Sequence, residues 1–283
     1  MVKCVKCLIP RRFCSRGFDI PVVRLCGAIM DSTTAVARTL SLGRCAKLLD
    51  RAFANRKAPA VALIVNSPGG SPVQSRLIFK RIRDLANEKN KQVLVFVEDI
   101  AASGGYMIAC AGDEIYADPS SIIGSIGVVS ASFGFPEFLK KIGIERRVYT
   151  AGKSKVLLDP FQEEKKVGVE HLKSLQLEVH QTFIDLVKER RASKLSDDPD
   201  IFTGSFWTGK KGIELGLVDA LGDIRSVIKE RFGPRTGLRV ISPPKSFFSS
   251  KVPSGVSSDF FYTAVDSAYM AAEERALWQR YGL

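Results

Sequence analysis

Two short stretches limit the fold more than anything else in the chain. "AVALIVNS" (60–67) and "QVLVFVED" (92–99) are apolar at nearly every position. A strand with one wet face alternates apolar and polar residues, whereas a strand covered on both faces does not. The two runs therefore predict neighbouring strands in a mostly parallel sheet with helices on both sides. The segments around them fit that plan. "PVVRLCGAIM" (21–30) reads as a first strand, and amphipathic helices are predicted at 43–56 and 75–89. "DEIYAD" (113–118) and "GSIGVVSAS" (124–132) read as shorter strands, followed by a small helix near "FPEFLKKIG" and a strand "ERRVYTA". A long helix is predicted over 162–191, with Leu172, Leu175, Val179, Phe183 and Leu186 spaced along one apolar face. Beyond it come a glycine-punctuated helix, a short strand and another helix. From about Ser242 "SPPKSFFSSKVPSGVSS" reads as a linker, and the last segment as an aromatic-rich amphipathic helix. That helix has four roles open to it: packing on the body, packing on another subunit, touching a membrane surface, or shielding a groove.

Composition narrows the function classes. The chain has 283 residues, 45% of them hydrophobic, enough for a substantial core. Its net charge is +12, but the basic residues are scattered beside acids, as in "RLIFKRIRDLANEKNK". No nucleic-acid recognition signature accompanies them, so no nucleic-acid partner is expected. Cys4 and Cys7 form a single CxxC, with Cys14 nearby, whereas a structural zinc site needs a second pair or suitably spaced histidines. Neither a metal nor a cofactor is expected, and the six cysteines read as reduced thiols. The basic first sixteen residues lack a signal-peptide core, and no apolar run is long enough to span a bilayer. The expectation is a cytoplasmic chain, with peripheral contact at the inner membrane left open.

Both buried strands run into glycine-rich turns, "VNSPGGSP" and "AASGGY". In an open parallel sheet, ligands bind beyond the carboxyl ends of the strands, so these turns should meet in one crevice. Backbone N–H groups at Gly69 and Gly70 can face a developing oxyanion, and Ser103 offers a hydroxyl in the same place. A serine entering a helix can serve as its cap and also as a nucleophile. It needs a base, and His171 and His180 lie together on one helix far along the chain. Lysine remains, because burial lowers its pKa toward the neutral amine. Lys153 and Lys155 in "YTAGKSKVLLDP" are the candidates. The "GKS" there is not a phosphate-binding loop, since the required first glycine is replaced by Arg147.

With these pieces in place, the chain resembles the signal peptide peptidase A / SohB family of serine peptidases over about residues 20–235. The motifs that carry the likeness are "NSPGGS" (66–71), "AASGGYMIA" (101–109), "IIGSIGVV" (122–129), "GKSK" (152–155) and "FTGSFWTGKKGIELGLVDALG" (202–222). The resemblance implies an α/β Clp protease/crotonase-like fold from 19 to 235, preceded by a basic segment (1–18). A linker and C-terminal helical extension (236–283) would follow. It implies a Ser–Lys dyad of Ser103 and Lys155, with Lys155 preferred over Lys153 because it closes the GxxK pattern. Gly70 and Gly104 would form the oxyanion hole, and Ser125 would orient the lysine amine. It also implies extended apolar peptides, including signal-peptide remnants, as substrates. A homo-oligomeric ring is implied too, its dyad drawn from one chain or from two. Two other readings stay open: a catalytically silent scaffold at the membrane, and a crotonase-like acyl-CoA enzyme.

Overall fold

The computed structural model describes residues 19–31, 39–152, 154–242, 268 and 271–283. The basic amino-terminal segment with Cys4, Cys7 and Cys14, residue Lys153 and most of the linker after Ser242 lie outside the described residues.

The chain builds an α/β layer structure around one mostly parallel sheet. Strands β1 (Asp19–Cys26), β2 (Ala60–Ser67) and β3 (Gln92–Ala102) form its centre, in spatial order β3-β2-β1. β2 is buried at every position except Asn66, as its unbroken apolar run predicts. Its alternate residues feed two cores. Val61, Leu63 and Val65 point to one side, among Leu49 and Phe53 of α1 (Leu42–Phe53) and Ile78 and Ile82 of α2 (Pro72–Lys89). Ala60, Ala62 and Ile64 point to the other, with Ile20, Leu94, Phe96 and Ile228 of α7 (Ile224–Phe232).

β3 is longer than the sequence suggests because it takes in Ile100, Ala101 and Ala102. Its first half pairs with β4 (Glu114–Ala117), and its last three residues with β5 (Ile122–Gly124). Between Val65 and Ser67 the β2–β3 register shifts, with extra residues on β3 before Ala101 pairs with Ser67. Helix α3 (Gly104–Ala109) starts just past the end of β3. Two strands absent from the sequence reading close the sheet. β6 (Phe206–Thr208) runs antiparallel to β5, and β8 (Gly237–Val240) runs parallel to β1, so the sheet extends past residue 235. The short β7 (Ala220–Leu221) follows α6 (Gly209–Glu214) and pairs with β4.

Two predicted strands are corrected. Of the strand predicted over 124–132 only Gly124 lies in a strand, β5, which starts at Ile122; from Ser125 the backbone turns out of the sheet. The segment "ERRVYTA" has strand-forming residues but forms no strand, and its residues are almost all exposed. A strand needs a partner to hydrogen-bond, and among the described residues none pairs with it. It belongs to an arm, roughly residues 128–165, that also holds the short α4 (Pro136–Lys141). The long helix α5 (Lys166–Arg191) forms as expected, but its predicted apolar face is covered only toward the end, at Phe183 and Leu186. Leu175 is 45% exposed.

Candidate active site

The first turn is shaped by the polar groups around it. Ser67 Oγ donates to the carbonyl of Gly27 at 2.7 Å and accepts from the Gly69 N–H at 3.2 Å. Ile29 N–H donates to Gly69 O at 2.8 Å, and Ser71 N–H to Ile29 O at 2.6 Å. This bridge uses the groups on either side of Gly70 and leaves its own N–H outside the ladder. Ser71 then caps α2 by accepting from Gln74 N–H, and Pro72 opens the helix.

The second turn presents Ser103. It stands at the N-cap position of α3, yet its side chain makes no capping hydrogen bond. The sequence reading gave this serine two possible jobs; in the structure the hydroxyl caps nothing, and Ser103 lines a cleft. Its backbone sits at φ 51°, ψ −123°, outside the regions open to ordinary L residues. Such strain costs about 1–3 kcal/mol and persists only where the surroundings enforce it. Here they do: Ser103 N–H donates to Gly124 O at 2.8 Å, and Ser103 O accepts from Met107 N–H at 3.0 Å. The N–H of Gly104, first in α3, has no intrahelical acceptor. The two turns touch, since a Cβ on Gly69 would lie 2.8 Å from Ser103 Cβ and 2.9 Å from Gly104 N.

Ser125, the first residue after β5, repeats the pattern with φ 52°. Its N–H donates to Ser205 O at 2.7 Å. The ring of Trp207 lies so close to Gly124 that a Cβ there would come within 2.8 Å of it. The β5–β6 pairing thus holds Ser125 in its strained conformation. Ser103 and Ser125 both line one cleft of about 620 Å³, with Gly70, Pro68, Thr203, Gly204 and Phe206 on its walls. A smaller apolar recess beside it is lined by Ser103, Gly104, Met107, Val179 and Phe183.

Four of the five expected site residues therefore meet. Lys155 does not join them within one chain: it is exposed on the arm and does not line the cleft. The histidines also stay away from Ser103. His171 is exposed, and His180 Nε2 lies 3.0 Å from the carbonyl of Ile126. Cys45 and Cys110 are buried free thiols, both pushed up to about 12 by burial and so unreactive. Residues 203–207 were missed as part of the site. The signal was available in "FTGSFWTG", where Phe206 and Trp207 alternate across a short edge strand.

Residues 85–232 match Peptidase family S49, a stretch that holds Ser103, Ser125 and Lys155 and begins after the Gly70 turn. The chain belongs to peptidase family S49. It is 32% identical to a protein named SohB from Haemophilus influenzae, over 77% of this chain and 59% of that one. It is 34% identical to the chloroplastic serine protease SPPA of Arabidopsis thaliana, over 62% of this chain and 26% of the relative. A Brucella abortus protein named as the Na(+)/H(+) antiporter NhaA is 60% identical over 99% of this chain. This chain spans only 39% of that protein's length, so the antiporter name is not carried across. Among the described residues no helix is long and apolar enough to cross a membrane.

Gly70 offers a direct test of the site's backbone. At φ 139° it occupies a conformation that disfavours a side chain, and a Cβ there would sit 2.1 Å from Ile29 O. If the Gly70 N–H is an oxyanion donor, as the resemblance implies, Gly70→Ala is expected to shift the turn and lower kcat/KM for peptide cleavage by about 10²–10³, the usual cost of such a donor. Steady-state kinetics on a fluorogenic peptide checks it. An unchanged kcat would remove Gly70 from the site.

Proposed function

We propose that this chain is a serine endopeptidase that hydrolyses extended, mainly apolar peptides through a Ser–Lys dyad of Ser103 and Lys155. The observation that carries the reading is the strained, uncapped Ser103 facing a cleft beside the N–H groups of Gly70 and Gly104. Ser103 Oγ attacks the peptide carbonyl while the neutral amine of Lys155 takes its proton. The oxyanion forms against the N–H groups of Gly70 and Gly104. The amine then returns the proton to the departing nitrogen, and water repeats the sequence on the acyl-enzyme. Ser125 orients the amine. Edge strand β6 and the open turns suit a substrate bound in extended form, as an added strand.

The lysine arrives from a second copy of the chain. The arm that carries Lys155 exposes Phe133, Phe138, Ile142, Ile144, Tyr149 and Leu158, with Tyr149 90% exposed. The neighbouring start of α5 exposes Val167, Leu175 and Leu177. Exposed apolar side chains in this number suit an interface rather than a wet face. Packing the arm against the next copy covers this surface, brings Lys155 to a neighbouring cleft and desolvates its amine, which favours the basic neutral form. Repeated head to tail, the same contact closes a ring.

Mixing inactive variants tests the arrangement. Ser103→Ala and Lys155→Ala are each expected to be inactive alone. Co-assembled from unfolded mixtures, they should regain a measurable fraction of wild-type cleavage, because some clefts then pair an intact serine with an intact lysine. Activity in Lys155→Ala alone would sink the dyad. Inactivity of the mixture, with both variants co-assembled, would return the lysine to the serine's own chain.

A further inference from the structure

The end of the chain lies in the Ser103 cleft. After α8 (271–279), Leu277, Arg280 and Tyr281 line the same 620 Å³ space as Ser103 and Ser125. The Tyr281 hydroxyl donates to Ser125 Oγ at 3.1 Å. Its ring meets Phe206 edge-on, with centroids 5.2 Å apart and planes at 77°. The tip is a built element. Leu283 N–H donates to Trp278 O, Gly282 N–H donates to Gln279 O, and Gly282 has φ 76°. Those are the two hydrogen bonds and the left-handed glycine of a Schellman motif, which fixes Tyr281 as the last residue before the reversal.

We propose that this carboxyl-terminal helix is an intramolecular plug, and that Tyr281 occupies the position in the cleft that an aromatic substrate side chain takes. The inference rests on the reading of Ser103 as nucleophile and Ser125 as the lysine-orienting hydroxyl. Tyr281 uses one acceptor site of Ser125 Oγ, and its ring fills space beside the nucleophile. One wall of the cleft in this state is a helix that takes contacts a substrate would use, so peptide and plug compete. The competition is tunable: a tethered segment acts at an effective concentration of about millimolar order, which a weak contact can exploit and a good substrate can overcome. Phe206 is then the platform of an aromatic-accepting subsite, exposed when the plug leaves.

Two measurements on the full chain test this. The first is the rate at which a fluorophosphonate labels Ser103. Losing one aromatic pair and one hydrogen bond in Tyr281→Ala should raise that rate about 5- to 30-fold, with Tyr281→Phe in between. The second is amide hydrogen exchange, which is independent of catalysis. Residues 275–283 are expected to be protected in the wild type and to lose that protection in Tyr281→Ala. Equal labelling rates in all three proteins, or exchange over 275–283 as fast as in an unstructured peptide, would overturn the plug. If Ser103 is not labelled in any of them, the nucleophile assignment fails, and the exchange experiment alone still decides whether the helix is docked.

Discussion

Ser103→Ala should abolish peptide hydrolysis, lowering kcat by about 10⁴-fold or more, as removal of a catalytic serine does elsewhere. The substitution takes away one oxygen that, among the described residues, caps nothing. Folding should therefore be intact, with the melting temperature within the spread of ordinary surface substitutions. A second substitution separates chemistry from strain. At φ 51°, ψ −123° Ser103 holds the mirror image of an ordinary extended conformation, which glycine adopts freely. Ser103→Gly should be as inactive as Ser103→Ala yet melt at a higher temperature, because it releases strain that alanine retains. Calorimetry on the two variants, beside cleavage of a peptide library by the wild type, reads both effects. Residual turnover in Ser103→Ala above one per cent of wild type would place the nucleophile elsewhere. Equal melting of the two variants would remove the claim that the serine is held against its preference.

The layer plan was legible because it rests on local patterns. An unbroken apolar run cannot be a one-sided strand, and β2 begins and ends at the predicted residues. The meeting of the two glycine turns was legible too, since parallel neighbours place their exits at the same end of a sheet. What escaped depends on contacts between distant residues. β6 and β8 are short and partly exposed, and only their partners β5 and β1 make them strands. The segment "ERRVYTA" shows the reverse case, with the right residue types and no partner. The apolar stripe of α5 was read correctly as a stripe, but periodicity cannot say what covers it. Among the described residues Leu175 stays 45% exposed, and the interface proposed above would cover it. Of the roles left open for the carboxyl-terminal helix, the plug proposed above takes up the shielding of a groove, since Tyr281 lines the cleft.

The largest effect on stability is expected behind the nucleophile, at Asp219. The α3 helix that begins after Ser103 is anchored by Tyr106, whose fully buried hydroxyl donates to Leu217 O at 2.9 Å. The segment holding Leu217 is itself clamped by Arg191, 2% exposed, which donates to Gly216 O at 2.8 Å and to both oxygens of Asp219 at 2.8 and 3.2 Å. Asp219 also accepts from Lys194 Nζ and from the Ile115 N–H on β4. Burial pushes the Asp219 carboxyl up, but the hydrogen bonds from Arg191, Lys194 and Ile115 outweigh it and hold the group below its usual value. Asp219→Ala leaves a buried guanidinium without a counter-charge and is expected to cost about 3–5 kcal/mol in urea unfolding. Arg191→Met combined with Asp219→Asn should recover much of that, since no lone charge remains and the asparagine oxygen still accepts from Ile115. The pH dependence has a definite sign. A carboxyl depressed on folding stabilises above its unfolded value of about 3.9 and loses that contribution as pH falls through the folded value. The stability gap between wild type and Asp219→Asn should therefore be constant from neutrality down to about pH 5 and shrink below it. A gap that stays constant into strong acid would show that the carboxylate charge contributes nothing. Because Tyr106 ties this clamp to α3, Asp219→Ala should also slow labelling of Ser103 in protein that remains folded, by loosening the helix that presents it.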